Sequence, residues 1–188
     1  MFGFTKHELD ILNEMCEVSE FKKGEIIIND GIVQKHFFFI SKGLIRNFLI
    51  SNDGKIHTYN FRMENMLVTG YAPYNNITYN NKSELTARVS VECLEPCIMI
   101  KVDIFALNHM IYNSKNGDRV GRLLSEAHVS ELVDFIIDND TKSVLERYNN
   151  LESKFPNIHQ RVPQHIIASY LRTTPVHLSR IKSAQFNH

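Results

Sequence analysis

Apolar residues near the start of the chain recur at helical spacing. Leu9, Leu12 and Cys16 follow Thr5, with Glu8 three residues after it. This predicts a short helix over 5–17, closed at its start by a capping box. The pattern then changes. Ile26-Ile27-Ile28 runs into the turn Asn29-Asp30-Gly31, and His36 to Ile40 runs into Ser41-Lys42-Gly43. Leu44 to Ile50 and Lys55 to Phe61 flank Ser51-Asn52-Asp53-Gly54, whose Asp-Gly step between alternating stretches predicts a hairpin. Leu85 to Val91 alternates, and Cys97 to Val102 is apolar. Many short strands separated by glycine-containing turns predict an antiparallel roll or barrel.

Within this region, Gly70 to Lys82 is rich in asparagine and tyrosine and too long for a hairpin turn, which suits a binding loop or a plain surface insertion. From Asp118 the period becomes helical. Val120, Leu123, Leu124, Ala127, Leu132, Phe135 and Ile136 fall at steps of three and four, and no glycine or proline interrupts between Arg122 and Asp140. The spacing predicts a helix of about 20 residues, near 30 Å long, a natural dimer seam. The alternative is that its apolar face packs only on its own roll. A second helix is expected to start at Asp140-Thr141 and to run through Val144, Leu145, Tyr148, Leu151 and Phe155 until Pro156 stops it.

The last thirty residues carry the chemistry. A short helix is expected over Arg161 to Leu171, with Pro163 in its first turn and Ile167, Ala168 and Leu171 inward. After Arg172-Thr173, Thr174 caps a second helix that has Pro175 at its first position. On that helix Leu178, Ile181 and Gln185 share one side, and Val176, Ser179, Arg180 and Ser183 the other. Two short helices, a tight turn and a small residue (Ala168) at their crossing predict a helix-turn-helix. Its second helix fits a DNA major groove. The Arg180 guanidinium can pair with the O6 and N7 of guanine, Ser179 can bond a base edge or a phosphate, and Val176 can meet a thymine methyl. Lys182, Gln164 and His165 are expected at phosphates, beside Thr174 and Pro175 at the helix start. A plain helical hairpin with a solvated face would share the pattern.

Charge sharpens this picture. The chain is neutral overall, with 21 Lys+Arg against 21 Asp+Glu, but residues 141–188 hold seven basic groups and two acidic ones. Subtracting leaves 14 basic and 19 acidic groups in residues 1–140, so a tail of +5 follows a body of −5. A polyanion can use such a footprint. The three cysteines, Cys16, Cys93 and Cys97, and an N-terminus without a basic start and apolar core predict a reduced, cytoplasmic protein. No apolar run approaches the ~18 residues of a membrane span. Cys93 and Cys97 read as buried thiols, and the scattered histidines read as structural, so neither a metal nor a cofactor is expected.

The order of roll, long helix and terminal helix-turn-helix resembles the Crp/Fnr family of transcription regulators. The run VPQHIIASYLRTTPVHLSRIKS is similar to that family's recognition module, above all I-A-S-Y-L followed by L-S-R. FKKGEIIINDG and FFFISKGLIRNFLISNDGK resemble the roll's opening strands and hairpin. The likeness spans nearly the whole chain. It implies an α+β chain: a jelly-roll-like antiparallel β-roll sensor, related to cyclic-nucleotide-binding domains, over 1–113, a dimerisation helix over 114–139, and a helix-turn-helix domain over 140–188. It also implies a homodimer on double-stranded DNA, with a small-molecule effector and RNA polymerase as further partners.

The chain departs from the family at several places. Val176 stands where a base-binding Glu usually precedes the Ser-Arg pair, and Arg172 stands at the usual turn glycine. Only Asn187-His188 follow Phe186, so the two-stranded wing is expected to be absent. In nucleotide-binding members a Gly-Glu pair holds the ribose and an Arg-Ser pair the phosphate. Here Val68-Thr69 and Leu85-Thr86 stand at those positions, so cyclic AMP is not expected to bind in the usual way. Tyr71 and Glu84 complete the expected effector pocket, and Tyr74 and Tyr79 lie in its loop. A cupin-type enzyme would need an HxH metal motif, which the chain lacks. A third reading is a ligand-sensing module that regulates a partner protein through a degenerate DNA element.

Overall fold

The computed structural model describes residues 5–71 and 86–186. The first helix, α1, spans Lys6–Met15 with the expected capping box between Thr5 and Glu8. Cys16 was expected inside that helix, but it opens strand β1, Cys16–Phe21. The apparent helical spacing of Cys16 continues onto an alternating stretch, where strand pairing with residues 97–102 decides the outcome.

The remaining strands are β2 (Ile26–Ile28), β3 (His36–Lys42), β4 (Ile45–Ile50), β5 (Ile56–Arg62), β6 (Leu67–Val68), β7 (Ser90–Cys93) and β8 (Cys97–Asp103). They form two four-stranded sheets, ordered β1-β8-β3-β6 and β2-β7-β4-β5, and every pairing is antiparallel. The two sheets enclose an apolar core that includes Ile28, Phe38, Ile40, Ile45, Val91 and Met99. Cys93 and Cys97 are buried in it as free thiols. A Cβ built on Gly43 would meet the Cys97 Sγ at 2.5 Å, and the Gly43 backbone is left-handed, so this turn requires glycine.

Helix α2 (Ile104–Asn113) escaped the sequence reading. Its signal was present: Asp103 caps Ala106, and Ile104 and Met110 point inward. The long helix α3 is Gly117–Thr141, 25 residues. It runs through the Asp140-Thr141 step where a new helix was expected. The next helix, α4 (Val144–Lys154), starts instead at Ser143, whose hydroxyl forms a capping box with Glu146. Ser143 can cap both through its side chain and through an extended backbone, which Asp140 in mid-helix cannot do. Then come α5 (Ile158–Arg161), α6 (Gln164–Tyr170) and α7 (Pro175–Phe186). The first helix of the expected pair is thus split, with α5 ending at Arg161 and Pro163 standing at the N-cap of α6 rather than in its first turn.

A second core joins the halves. Leu44, Phe61 and Leu94 of the roll pack with Tyr148, Leu151, Phe155, Ile158, Ile167, Leu171 and Leu178 of the terminal helices. The Phe155 ring meets Phe61 edge-on at 6.1 Å, and Tyr170 lies 5.2 Å from Phe61. Polar contacts follow the same seam. Ser169 Oγ accepts from Thr58 N and donates to the Ile56 carbonyl, both at 2.9 Å. Arg161 reaches Glu95 at 2.6 Å and Glu64 at 3.0 Å.

Candidate nucleic-acid interface

Ala168 of α6 is wholly buried, in the same core as α7's Leu178. Leu178 is also wholly buried and fixes α7 against this core. At the start of α7, Thr174 Oγ1 accepts from His177 N at 3.1 Å, the cap that the Thr-Pro step predicts. The turn residue Arg172 has φ +52°, a left-handed backbone that glycine adopts at less cost. The turn therefore keeps the geometry expected of a glycine. The Arg172 guanidinium lies 5.1 Å above the Phe135 ring of α3, a cation–π contact that offsets part of the strain.

The opposite side of α7 is open. Val176 is 62% exposed, and Ser179, Arg180 and Ser183 are exposed with it. Thr174, Pro175 and His165 are exposed as well. Two of the expected phosphate contacts have internal partners: Gln164 Nε2 donates to the Pro175 carbonyl at 3.2 Å, and the Lys182 ammonium lies 5.3 Å from the Tyr148 ring. His165 lines a groove of about 690 Å³ together with Lys55, His57 and Arg172, beside the β4–β5 hairpin.

The long helix presents two faces. Val120 is buried and Phe135 half-buried toward the chain's own body. Val129, Leu132, Val133, Ile136 and Ile137 are exposed and recur at three and four residues on the other side. The stripe occupies the C-terminal half of α3, so the helix packs only part of its apolar surface on the chain's own body.

Of the expected effector residues, the structure describes Val68, Thr69, Tyr71 and Thr86, and their two segments are joined where Arg88 N donates to the Gly70 carbonyl at 2.7 Å. Val68 is wholly buried in the roll core. Thr69 bonds Gln34 at 3.4 Å and accepts from Tyr71 N at 3.2 Å. Thr86 bridges Val33 on the opposite chain segment. Glu84, Leu85, Tyr74 and Tyr79 lie outside the described residues. Two residues not foreseen hold this segment: Gln34 accepts from Gly70 N at 2.8 Å, and Asn47 donates to the Thr69 carbonyl at 3.0 Å. Both are buried polar groups amid apolar strands, and that is the only trace they leave in the sequence.

Arg62 was also unforeseen. It is buried and makes a two-pronged bond to Glu131 of α3, at 2.9 and 2.6 Å, and a weaker one to Tyr71 Oη at 3.3 Å. This bond holds the Glu131 carboxyl below its ordinary pKa. Tyr71 stacks on His128 at 4.6 Å. Burial, aided by the nearby Arg62 charge, pushes the His128 pKa down. The unfolded chain therefore takes a proton at position 128 before the folded one does. Stability from His128 is full above pH ~6.5, the ordinary histidine value, and declines as pH falls through the window below it. Thermal melts at pH 7.5 and 5.5 are expected to show a Tm drop that shrinks in His128→Phe. An identical drop in both proteins would remove His128 from this role.

No family model and no curated protein matches the chain. Solved structures do, in fold. FixK2 from Bradyrhizobium japonicum superposes with a TM-score of 0.78 at 14% identity, covering 92% of this chain and 85% of that one. A protein from Eubacterium rectale, provisionally assigned as a transcriptional regulator of the crp/fnr family, gives 0.75 at 15% identity, covering 98% and 85%. The c-di-GMP responsive global regulator CLP of Xanthomonas campestris gives 0.66 at 11% identity, covering 97% and 93%. The fold is the one seen in Crp/Fnr regulators. It includes the roll, the long helix and the terminal helices in one arrangement over nearly the full length. Among the described residues, no helix is long and apolar enough to cross a membrane.

Proposed function

We propose that this chain is a dimeric, DNA-binding transcription regulator of Crp/Fnr type rather than an enzyme, acting in the cytoplasm. One observation carries the reading: α7 is fixed by a wholly buried Leu178 while Val176, Ser179 and Arg180 stand clear on its outer side. A recognition helix needs such a rigid back and a free front. The +5 tail, residues 141–188, supplies the field that draws the phosphates. Arg180, Ser179 and Val176 read bases, while His165, Thr174 and Pro175 lie along the backbone. Lys182 and Gln164 are the weaker candidates, because each has a partner within the chain. Residues 1–113 act as sensor, 114–139 as dimer helix and 140–188 as reader. RNA polymerase is the further partner of a bound dimer.

Cyclic AMP is not the effector in the usual mode. Leu85, at the position of the family's phosphate-binding arginine, supplies no charge to a phosphate, and Arg62, which bonds Tyr71, is already neutralised by Glu131. Fluorescence anisotropy with a random-sequence duplex tests the reading: binding at low salt should weaken steeply as salt rises. Absence of any binding at low salt would favour the other reading, a sensor module that regulates a partner protein.

The stripe of Val129, Leu132, Val133, Ile136 and Ile137 is the seam for a second copy. Val133→Glu/Ile136→Glu is expected to give monomers by sedimentation and to lose tight operator binding, since each half-site alone is weak. A variant that still sediments as a dimer would place the seam elsewhere.

A further inference from the structure

The groove of about 690 Å³ beside the β4–β5 hairpin has one bank from each half of the chain. Lys55 and His57 stand on the hairpin of the roll. His165 of α6 and Arg172 of the following turn stand opposite. All four are exposed. Residues 1–140 carry 14 basic and 19 acidic groups, yet no carboxylate lines this groove among the described residues. Two cations and two imidazoles around one opening, with no acid among them, form a surface complementary to a polyanion.

The two banks are fixed to each other. Ser169 Oγ of α6 accepts from Thr58 N and donates to the Ile56 carbonyl, both at 2.9 Å, and Thr58 is buried. The hairpin is thus held on α6 as part of one surface. The groove also runs into the start of α7. Arg172 and Thr173 line it, and Thr174 directly after them caps α7. Gln164, next to His165, bonds the Pro175 carbonyl at 3.2 Å.

The cations keep capacity for an incoming acceptor. The Lys55 side chain is 74% exposed and pairs with Asp53, itself 54% exposed, and a pair so open to water is weak. Arg172 meets Phe135 by a cation–π contact at 5.1 Å, which consumes no N–H donor.

We infer that the β4–β5 hairpin is a second DNA contact, outside α6 and α7. Lys55 and His57 on one bank, with His165 and Arg172 on the other, hold a stretch of phosphodiester backbone beside the bases that α7 reads. The inference rests on the proposed role of α7 and deepens it, because the sensor half of the chain gains a direct hold on DNA. Backbone contacts carry no sequence information, so this groove adds affinity at every sequence alike.

Fluorescence anisotropy of the full chain with a random-sequence duplex, over a salt series, tests it. Lys55→Gln/His57→Gln should weaken binding at least about fivefold and lower the log–log salt slope by about 1 for each groove engaged. Lys23→Gln removes a like charge from an exposed turn of the roll outside the groove, and should alter affinity less than about twofold. The replaced side chains are exposed, so thermal melts should keep the original Tm. Should the double variant melt early, Lys55→Gln alone decides, with a loss of at least about threefold. Unchanged affinity and slope would overturn the inference and leave the reading of α7 standing. An equal loss in Lys23→Gln would overturn it too, since the effect would then belong to the overall field. No duplex binding by the unaltered chain at low salt would overturn both.

Discussion

Phe155→Ala is expected to lower the stability of the whole chain by about 3–5 kcal/mol, the usual cost of deleting a large buried aromatic side chain. Phe155 is 1% exposed and touches both halves, with Phe61 of the roll on one side and Leu151, Ile158 and Leu171 in the same core on the other. A cavity there cannot collapse easily, because β5 is held by its pairing with β4 and α6 by Ser169. Against a typical total of about 5–15 kcal/mol, the loss is large enough to see directly in urea unfolding. Because the core is shared, roll and terminal helices should lose structure together. Circular dichroism and tyrosine fluorescence should therefore give one coincident transition, shifted to lower urea. A variant whose roll unfolds at the original midpoint while the helices melt early would show that the shared core does not couple them.

Arg180→Ala should leave stability unchanged, since the side chain is exposed and no cavity results. Its effect is expected on DNA binding. A bidentate guanidinium–guanine contact is worth about 1–3 kcal/mol, so affinity for a specific site should fall about 5- to 150-fold. Binding to random duplex should hardly change, and preference at one base position should relax. A uniform loss across all sequences, with a shallower salt dependence, would instead make Arg180 a phosphate contact. Val176, where the resembled family has a Glu, is expected to follow a different base rule at the neighbouring position. Comparing the two proteins on single-base variants of the site measures both effects.

What could be read from the sequence follows from which forces act locally. Caps are local, so Thr5 with Glu8, and Thr174 before Pro175, gave away two helix starts. The hairpin around Asp53-Gly54 and the inward face of Ile167, Ala168 and Leu171 were legible for the same reason: turn and packing chemistry are written in a few adjacent residues. Elsewhere non-local forces decided. Cys16 joined a strand because its partners lie some eighty residues away in β8. The α3 helix continued past Asp140 because the better cap is Ser143. Helix α2 was missed although its cap was present, its apolar positions being masked by the strand that runs directly into it. Buried ionic and polar partners were the hardest to see. Arg62 and Glu131 are 69 residues apart, and each alone looks like an ordinary surface charge. The same holds for Arg161 with Glu64 and Glu95, the link between terminal helices and roll.

Family likeness and structure meet at Arg172. Its position calls for glycine, and the backbone there is indeed left-handed, yet the residue is kept by a ring contact to α3 that no glycine could make. The turn between α6 and α7 is thereby tied to the same helix that carries the exposed apolar stripe.

Selection of bound duplexes from a random pool bears most directly on whether α7 enters DNA and is presented twice. Enrichment of a two-fold symmetric sequence is expected, its half-sites about one helical turn apart, with a guanine whose preference disappears for Arg180→Ala. A pool that shows no enrichment, or a single asymmetric half-site bound equally well by monomeric Val133→Glu/Ile136→Glu, would contradict it.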